Sequence, residues 1–339
     1  MKILVTGGAG FIGSAFARLT LGGSLASQVT VLDKLTYAGN LDNLAPVSAD
    51  PRYKFVHGDI CDKALVEELF AGMKPDAVVH FAAESHVDRS ILSPDPVIET
   101  NLKGSFTLLE AARRHSTPRF VHVSTDEVYG SIDEPHDADE RYPLKPSSPY
   151  SASKAGSDLL ALSYFTTYKT PVVVTRASNN YGPYQFPEKL IPLMISNALE
   201  DKSLPIYGDG MQVRDWLHVD DHCRAILAVL EKGRAGEVYN VGGSRALPNL
   251  DVVRMILAAT GRPESLMTRV TDRPGHDRRY AITTEKLHKE TGWTARMDFE
   301  EGLQATVDWY RANPEWIRRV KSGEYQNFYK QNYGGRAAE

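Results

Sequence analysis

The 339-residue sequence contains little cysteine and no long apolar run. Its two cysteines, Cys61 and Cys223, show no repeated spacing, so they indicate neither a disulfide framework nor a cysteine-based metal site, and they are typical of a reducing cytosol. No apolar stretch approaches the roughly 20 residues that a membrane span needs, and a strand-like segment begins at once after Met1, which leaves no room for a signal peptide. We therefore expect a soluble, cytoplasmic protein without a bound metal or a membrane partner.

The sequence also has no large excess of positive or negative charge. The formal net charge is −4 at pH 7, which provides no basic surface, so nucleic acid and anionic membranes are not expected as partners. The length is sufficient for one large or two modest domains with a buried core. These properties leave small molecules and other proteins as the expected ligands.

Strand-like apolar segments alternate with helical patterns in the first half of the chain. Because this alternation is typical of right-handed βαβ units, it predicts an α/β fold of the Rossmann type, with a doubly wound parallel sheet covered by helices on both faces. The predicted strands are residues 2–5, 29–32, 54–56, 77–81, 119–123 and 172–175.

The alternation ends near Asn180, after which prolines interrupt the sequence. Residues 237–241 nevertheless have the pattern of a further core strand. We therefore expect a dinucleotide-binding domain over residues 1–180 that includes this returning strand, and a smaller, interleaved α/β domain over residues 181–339.

A glycine-rich turn follows the first predicted strand, with Gly7, Gly10 and Gly13 directly before a helical pattern. Such a turn allows backbone N–H groups and a helix N-terminus to approach a pyrophosphate. Asp33 ends the second strand, where its carboxylate can bind the ribose hydroxyls of NAD and would repel the 2′-phosphate of NADP. The alternative is a turn that serves packing alone. Asp59, which ends the third strand, is either a neighbour of the adenine or a helix N-cap.

The predicted strand over residues 119–123 leads to Tyr150 and Lys154, which are four residues apart and share one face of a predicted helix. The pKa of free tyrosine is about 10, so a phenol can act as a base at neutral pH only if positive charge stabilises its ionised form. The Lys154 ammonium and a nicotinamide cation would do so, and the phenolate could then take the proton of a hydroxyl while hydride leaves the same carbon. The alternative is a solvated pair on a helix surface.

The same strand ends at Asp126 and Glu127, two adjacent carboxyls that an alcohol oxidation does not need. Next to a newly formed ketone, a carboxylate could remove a carbon-bound proton while a carboxylic acid expels a hydroxyl as water. This requires different protonation states at one pH, which burial and mutual repulsion can produce. In the alternative interpretation Asp126 caps the following turn and Glu127 is solvated.

Several longer motifs extend these patterns, and with them the chain resembles the dTDP-glucose 4,6-dehydratases, a family of extended short-chain dehydrogenases/reductases. The resemblance runs from Met1 to about Arg336. In related nucleotide-sugar 4-epimerases the position of Asp126 and Glu127 lacks the acid and the base. The motifs are DKLTYAGN at 33–40, HFAAESHVDRS at 80–90, STDEVYG at 124–130, NNYGPY at 179–184 and DRPGHD at 272–277.

The resemblance implies a role for each catalytic residue. Tyr150 would be the base for oxidation at C4 of the glucosyl group, Lys154 would hold the nicotinamide ribose, and Thr125 would bond the C4 oxygen. Asp126 would protonate the leaving C6 hydroxyl and Glu127 would take the C5 proton, after which hydride returns from retained NADH to C6. The implied cofactor contacts are Gly7, Gly10, Phe11, Ile12, Gly13, Asp33, Lys34, Thr36, Asp59, Ile60, Phe81, Ala82, Ala83, Ser85, Thr100, Tyr150 and Lys154.

The resemblance also implies that the second domain binds the nucleotide-sugar, dTDP-glucose. The guanidinium groups of Arg214 and Arg273 suit the diphosphate of this substrate, and Tyr207 could pack on its base. Two positions depart from the family pattern: Ala177 stands where many relatives have cysteine, and Pro248 restricts the backbone before Asn249. The implied substrate contacts are Ser85, Thr125, Asn179, Glu188, Lys189, Leu190, Pro205, Ile206, Tyr207, Arg214, Asn249, Arg273 and His276.

Other functions remain open at this stage. A nucleotide-sugar 4-epimerase would leave the C6 hydroxyl in place, a dehydratase of another nucleotide-sugar would prefer UDP- or GDP-linked substrates, and a non-catalytic NAD-binding sensor would use the fold as a scaffold. Members of the family usually pair through a helix bundle that contains the Tyr150 helix, so the resemblance also implies a homodimer.

Overall fold

The structure is a computed structural model that describes residues 1–243 and 245–321. The part of the predicted second domain beyond residue 321, and the end of the resemblance near Arg336, lie outside the described residues. The strands are β1 (Lys2–Thr6), β2 (Gln28–Asp33), β3 (Tyr53–His57), β4 (Ala77–His80), β5 (Phe120–Thr125), β6 (Val172–Ala177), β7 (Asn179–Tyr181), β8 (Leu204–Tyr207), β9 (Val213–His218), β10 (Val238–Val241), β11 (Ala246–Pro248) and β12 (Met267–Val270).

Helices connect these strands, and a π-helical stretch over Ile98–Gly104 joins two of them. Within the described ranges, no helix is long and apolar enough to cross a membrane. The helices are α1 (Phe11–Gly22), α2 (Lys63–Met73), α3 (Val87–Leu92), α4 (Asp95–Val97), α5 (Ser105–Arg114), α6 (Pro149–Tyr168), α7 (Leu190–Leu199), α8 (Val219–Lys232), α9 (Asn249–Thr260), α10 (Glu285–Thr291), α11 (Phe299–Ala312) and α12 (Pro314–Val320).

The central sheet has seven parallel strands in the order β3-β2-β1-β4-β5-β6-β10. Its centre is apolar on both faces: Val5, Val31 and Val79 are fully buried in the core on one face, and Leu4 and Val78 are fully buried in the core on the other. The strand order reverses at β1 and β4, and ligands bind beyond the carboxyl ends of the strands at such a point. The predicted Rossmann-type fold is therefore confirmed.

The later part of the chain forms two smaller sheets, of β11-β9-β7 and of β12-β8. They have their own core, in which Ile195, Ile256 and Val307 of three helices pack together with no exposed surface. The strand β10, by contrast, pairs with β6 in the central sheet. The chain thus crosses between the two cores more than once, and a cleft lies where they face each other.

Helix α6 is fixed at its start by a capping box. The Ser148 hydroxyl accepts a hydrogen bond from the Ser151 N–H at 3.1 Å, the Ser151 hydroxyl accepts one from the Ser148 N–H at 3.0 Å, and Pro149 occupies the first helical position. These contacts fix the first turn, so Tyr150 and Lys154 lie at the end of the helix nearest the carboxyl edge of the sheet.

Candidate active site

A cleft runs along the carboxyl edge of the central sheet and continues between the two cores. Every residue that the sequence suggested for catalysis, cofactor binding or substrate binding lines this cleft. Their placement is a structural fact, and their roles remain predictions. Within residues 1–243 and 245–321, no three or more His, Cys, Asp or Glu side chains form a group that could hold a metal ion.

The glycine turn has no space for side chains. Gly7 has a φ of +68°, and a Cβ atom there would lie 2.6 Å from the Cα of Ala82. A Cβ at Gly13 would lie 2.3 Å from the carbonyl oxygen of Gly7. Gly10 occupies the N-cap position of α1 and provides no side-chain cap, which leaves the first N–H groups of this helix to a ligand. The turn therefore serves both packing and access to phosphate.

Two acidic residues follow the glycine turn around the cleft. Asp33 is held by its own backbone surroundings, because its Oδ2 accepts from the Ala9 N–H at 2.9 Å and its Oδ1 from the Leu35 N–H at 2.8 Å. Asp59 forms an ion pair with Lys34 at 2.7 Å. The N-cap of the next helix is Asp62 and not Asp59, so this alternative interpretation of Asp59 is wrong. The open turn and the fixed Asp33 carboxylate fit a dinucleotide with two free ribose hydroxyls.

Asp126 and Glu127, the two carboxyls predicted to be catalytic, lie where β5 ends in a short 3₁₀ turn over Asp126–Tyr129. The Thr125 hydroxyl donates to Asp126 Oδ1 at 3.3 Å and accepts from the Glu127 N–H at 3.2 Å. Asp126 is buried, and its Oδ2 has no hydrogen-bond partner in the described part of the chain. Burial, together with repulsion from Glu127 and Asp215, raises the pKa of Asp126 far above its ordinary value. These surroundings therefore favour the protonated form of this carboxyl.

Glu127 has different neighbours. Burial also raises the pKa of Glu127, but three cations oppose the increase: Lys189, Arg273 and Arg214. The same positive charges act much less on Asp126, for which Arg214 is the cation that lowers the pKa. The surroundings thus favour the charged form of Glu127 relative to that of Asp126, as an acid and base pair requires.

The tyrosine and lysine are both buried on α6. Burial raises the pKa of Tyr150, and the Glu127 and Asp126 carboxyls raise it further, whereas a hydrogen bond with Thr125 lowers it. The Lys154 ammonium donates to the carbonyl of Val123 at 2.8 Å. Burial lowers the pKa of Lys154 to about 8, against an opposing effect of Asp158. The protein surroundings alone therefore keep the phenol protonated, and its ionisation requires added positive charge.

The far wall of the cleft carries the predicted nucleotide contacts. Arg214 lies over the ring of Tyr280, with 4.1 Å between the guanidinium carbon and the ring centroid, and donates to the carbonyl of Asp277 at 2.8 Å. His276 Nδ1 lies 2.6 Å from Asp272 Oδ1. Burial lowers the pKa of His276 to about 4, so this imidazole is neutral near pH 7.

Glu188 and Lys189 connect this wall to the cofactor side. Glu188 forms an ion pair with Arg89 at 3.2 Å, and burial raises the pKa of Glu188 to about 7 against the opposing charges of Lys189 and Arg89. Lys189 donates a hydrogen bond to the carbonyl of Ser85. Both side chains thus contact the loop and helix that follow β4.

The two departures from the family pattern leave the cleft intact. Ala177 ends β6 and lines the cleft with 5% of its surface exposed. Pro248 ends β11, and Asn249 begins α9 with its N–H donating to the Gln212 carbonyl at 2.9 Å. Asn249 thus lines the cleft despite the restricted backbone before it.

The sequence assigned no role to three residues that shape the site. Asp88 and Gln212 line the cleft, and the ring of Tyr280 packs against the Arg214 guanidinium. Asp88 belongs to the motif at 80–90, so its place in the sequence was a usable signal. Tyr280 lies outside every motif, and only the folded chain brings it to Arg214.

Comparison with known proteins agrees with this geometry. The chain matches the family described as GDP-mannose 4,6 dehydratase over residues 4–306, so it belongs to the nucleotide-sugar 4,6-dehydratases. It is 56% identical over 321 residues to a dTDP-glucose 4,6-dehydratase of an Actinoplanes species, with 93% of this chain and 99% of that protein covered. It is 53% identical to the enzyme of that name from Shigella flexneri, with 99% and 100% covered.

A solved structure is similarly close. It is DesIV, a dTDP-glucose 4,6-dehydratase from Streptomyces venezuelae with NAD and TYD bound, at a TM-score of 0.93 and 53% identity, with 95% of this chain and 100% of that chain covered. The chain is a member of the dTDP-glucose 4,6-dehydratase family.

Proposed function

We propose that this chain converts dTDP-glucose to dTDP-4-keto-6-deoxyglucose and water, with NAD held along the glycine turn and the carboxyl ends of β1, β2 and β4. The observation that carries the proposal is the pair of adjacent carboxyls at the end of β5, where burial favours the protonated form of Asp126 while cations favour the ionised form of Glu127. An oxidation without elimination has no use for such a pair.

Bound NAD supplies a hydride acceptor for oxidation at C4 and, once reduced, the hydride donor for C6. The part of Tyr150 is to take the proton of the C4 hydroxyl, and that of Thr125 is to hold the C4 oxygen. The Lys154 ammonium, anchored on Val123, contributes positive charge that favours the phenolate and holds the cofactor ribose.

The elimination then uses the carboxyl pair. The C4 ketone makes the C5 proton acidic, so Glu127 accepts this proton, and it gives a proton back to C5 when hydride has been added at C6. Asp126 gives its proton to the C6 hydroxyl, which leaves as water. The Thr125 hydroxyl contacts Asp126 and its oxygen accepts from the Glu127 backbone, so one residue at the strand end orients the C4 oxygen, the acid and the base.

The substrate nucleotide occupies the far wall of the cleft. Arg214 and Arg273 provide guanidinium donors for the diphosphate, and Tyr207 packs on the base. Lys189, His276 and Asn249 complete this wall. We place the domain boundary near residue 180, with the nucleotide side formed mainly by later residues.

We also propose that the protein is a homodimer. Helix α6 packs against both α3 and α5, and the π-helical stretch packs against α5 and α6. Large apolar side chains are exposed on these elements: Leu92 of α3 at 51%, Ile98 of the π-helical stretch at 48% and Leu159 of α6 at 59%. A second copy that applies the same helices would cover this surface by two-fold symmetry.

Mass spectrometry of the product tests the function. Purified protein is incubated with dTDP-glucose without added NAD, and we expect loss of one water and a C4 ketone. An unchanged mass with an altered C4 configuration would instead identify an epimerase. Absence of any reaction, with NAD both omitted and supplied, would contradict the proposal.

A further inference from the structure

The Asp88 carboxylate lies in the first turn of α3 and is 3% exposed. Its Oδ1 accepts a hydrogen bond from Arg273 Nη1 at 3.0 Å, and its Oδ2 accepts one from the Tyr207 hydroxyl at 2.7 Å. One buried carboxylate therefore contacts two side chains of the nucleotide wall. Such charge-assisted hydrogen bonds are among the stronger ones in proteins.

The partners come from distant parts of the chain. Tyr207 ends β8 and Arg273 follows β12, whereas Asp88 comes directly after the loop at residues 81–86, which lines the cofactor half of the cleft. The contact thus joins the cofactor half to the nucleotide half. Tyr207 in turn meets the ring of His276 edge to face, with the ring centroids 6.0 Å apart.

The contact with Asp88 engages only part of the Arg273 guanidinium. Its Nη1 is directed to Asp88, while its buried Nε has no hydrogen-bond partner among the described residues. Guanidinium donors have a rigid, planar arrangement. Fixing one edge of the group therefore also fixes the direction of the N–H that remains for an acceptor.

Asp88 is ionised in this arrangement. Burial alone would raise the pKa of Asp88, but Arg273 and the Tyr207 hydrogen bond outweigh burial and bring the pKa below its ordinary value. The carboxylate thus carries a full negative charge beside a site for an anionic diphosphate.

We propose that Asp88 is a positioning residue for the nucleotide diphosphate, which aligns the Arg273 guanidinium and the Tyr207 ring before the substrate binds. This inference rests on the proposed function, because it takes the far wall as the nucleotide site. Two effects of Asp88 have opposite signs. By aligning Arg273, the Asp88 carboxylate strengthens diphosphate binding. By neutralising the charge of Arg273, the same carboxylate weakens diphosphate binding. Whether the affinity falls or rises when the carboxylate is removed therefore shows which effect dominates.

The test compares Asp88→Asn with the wild type in binding of dTDP and of thymidine, which lacks the diphosphate. If alignment dominates, the variant binds dTDP about 10-fold to 100-fold more weakly, as expected for a lost hydrogen bond to a charged group. Thymidine binding weakens by a smaller factor than dTDP binding, because thymidine can lose only the alignment of Tyr207. The NAD content stays within about twofold, and KM for dTDP-glucose rises by a larger factor than kcat falls. Equal or tighter dTDP binding by Asp88→Asn would overturn the proposal.

Asp209→Asn is the matched control, since Asp209 is an exposed carboxylate of the same region that pairs with Arg278. It should leave dTDP binding unchanged. In Arg273→Lys, the further change Asp88→Asn should have little effect, and a full additional loss would show that Asp88 does not act through Arg273. If Asp88→Asn does not fold, Tyr207→Phe removes one of the two contacts and should weaken dTDP binding by less than tenfold but measurably; no change would contradict the proposal. A wild type that does not bind dTDP would refute the proposed function instead.

Discussion

Asp126 and Glu127 are adjacent in the chain but have opposite electrostatic surroundings. The Asp126 carboxyl is buried beside two other carboxyls, Glu127 and Asp215, whereas Glu127 lies near Lys189, Arg273 and Arg214. Because a 3₁₀ turn has three residues per turn, the two side chains leave the backbone at the end of β5 in different directions. The pair can therefore act as acid and base at the same pH.

The first prediction concerns Glu127→Gln. The amide cannot accept the C5 proton, so we expect oxidation at C4 without elimination. Bound NADH should then accumulate after mixing with dTDP-glucose, as measured by its absorbance in a stopped-flow instrument. Product formation should fall about 100-fold to 10,000-fold, the range for a lost general base. A variant that forms product at the wild-type rate would show that Glu127 is not the base.

The second prediction concerns Tyr150→Phe. Without the phenol, nothing takes the proton of the C4 hydroxyl, so oxidation should slow by about 100-fold or more. In contrast to Glu127→Gln, bound NAD should remain oxidised in the same stopped-flow experiment. Rapid NAD reduction by this variant would assign the base to another group. Similar NAD content in both variants would confirm that the cofactor site is intact.

The third prediction uses the pH dependence of stability to test whether Asp126 is protonated. Burial raises the pKa of Asp126 in the folded state above its unfolded value of about 3.9, so the unfolded chain releases a proton that the folded chain keeps. The contribution of this group to stability is thus present below about pH 3.9 and is lost as the pH rises above it. Asp126→Asn removes this pH-dependent loss of stability. We expect the Tm of the variant to rise relative to that of the wild type as the pH increases from about 4 to about 7.

Asp209→Asn provides the control for this experiment. A hydrogen bond from Arg278 lowers the pKa of Asp209, so its carboxylate stabilises the folded state more as the pH rises. The Tm difference between Asp209→Asn and the wild type should therefore be nearly constant over the same range and change mainly below about pH 4. A Tm difference for Asp126→Asn that does not change with pH would show that Asp126 is ionised in the folded protein.

The fourth prediction concerns the homodimer. Leu159 is 59% exposed on α6, and Leu159→Asp places a charge in the proposed contact between copies. We expect the variant to be monomeric by light scattering at concentrations where the wild type is dimeric. Met211 is also exposed, at 39%, but lies between β8 and β9, so Met211→Asp should remain dimeric. A monomeric wild type, or a dimeric Leu159→Asp, would contradict the proposed interface.

Much of the fold could be predicted from sequence because parallel strands are short, apolar and flanked by helical patterns. All six strands predicted before residue 180, and the strand predicted at residues 237–241, correspond to strands of the central sheet. The small sheets of the second region, such as β11 (Ala246–Pro248), were not predicted. Their sequences, such as VRDWLH in β9, lack the continuous apolar runs of the central strands, and their pairing depends on distant segments.

The candidate site shows the same limit. Many of the residues assigned to it lie in motifs near strand ends, and the fold brings these to one edge. The contact of Asp88 with Arg273 spans 185 residues, and the stacking of Arg214 on Tyr280 spans two segments of the later chain. No local pattern encodes such pairs. The pKa of Tyr150 also depends on burial and on the opposite carboxyls, which only the packed structure reveals.

The most direct measurement uses dTDP-glucose with deuterium at C4 and follows the label in the product by mass spectrometry and NMR. If Tyr150, Asp126 and Glu127 act in one site around a retained cofactor, the deuterium should appear at C6 of the same sugar, with one water lost. Loss of the label to solvent would contradict transfer through a retained cofactor. A label that remains at C4 with the C6 hydroxyl intact would contradict the dehydratase function itself.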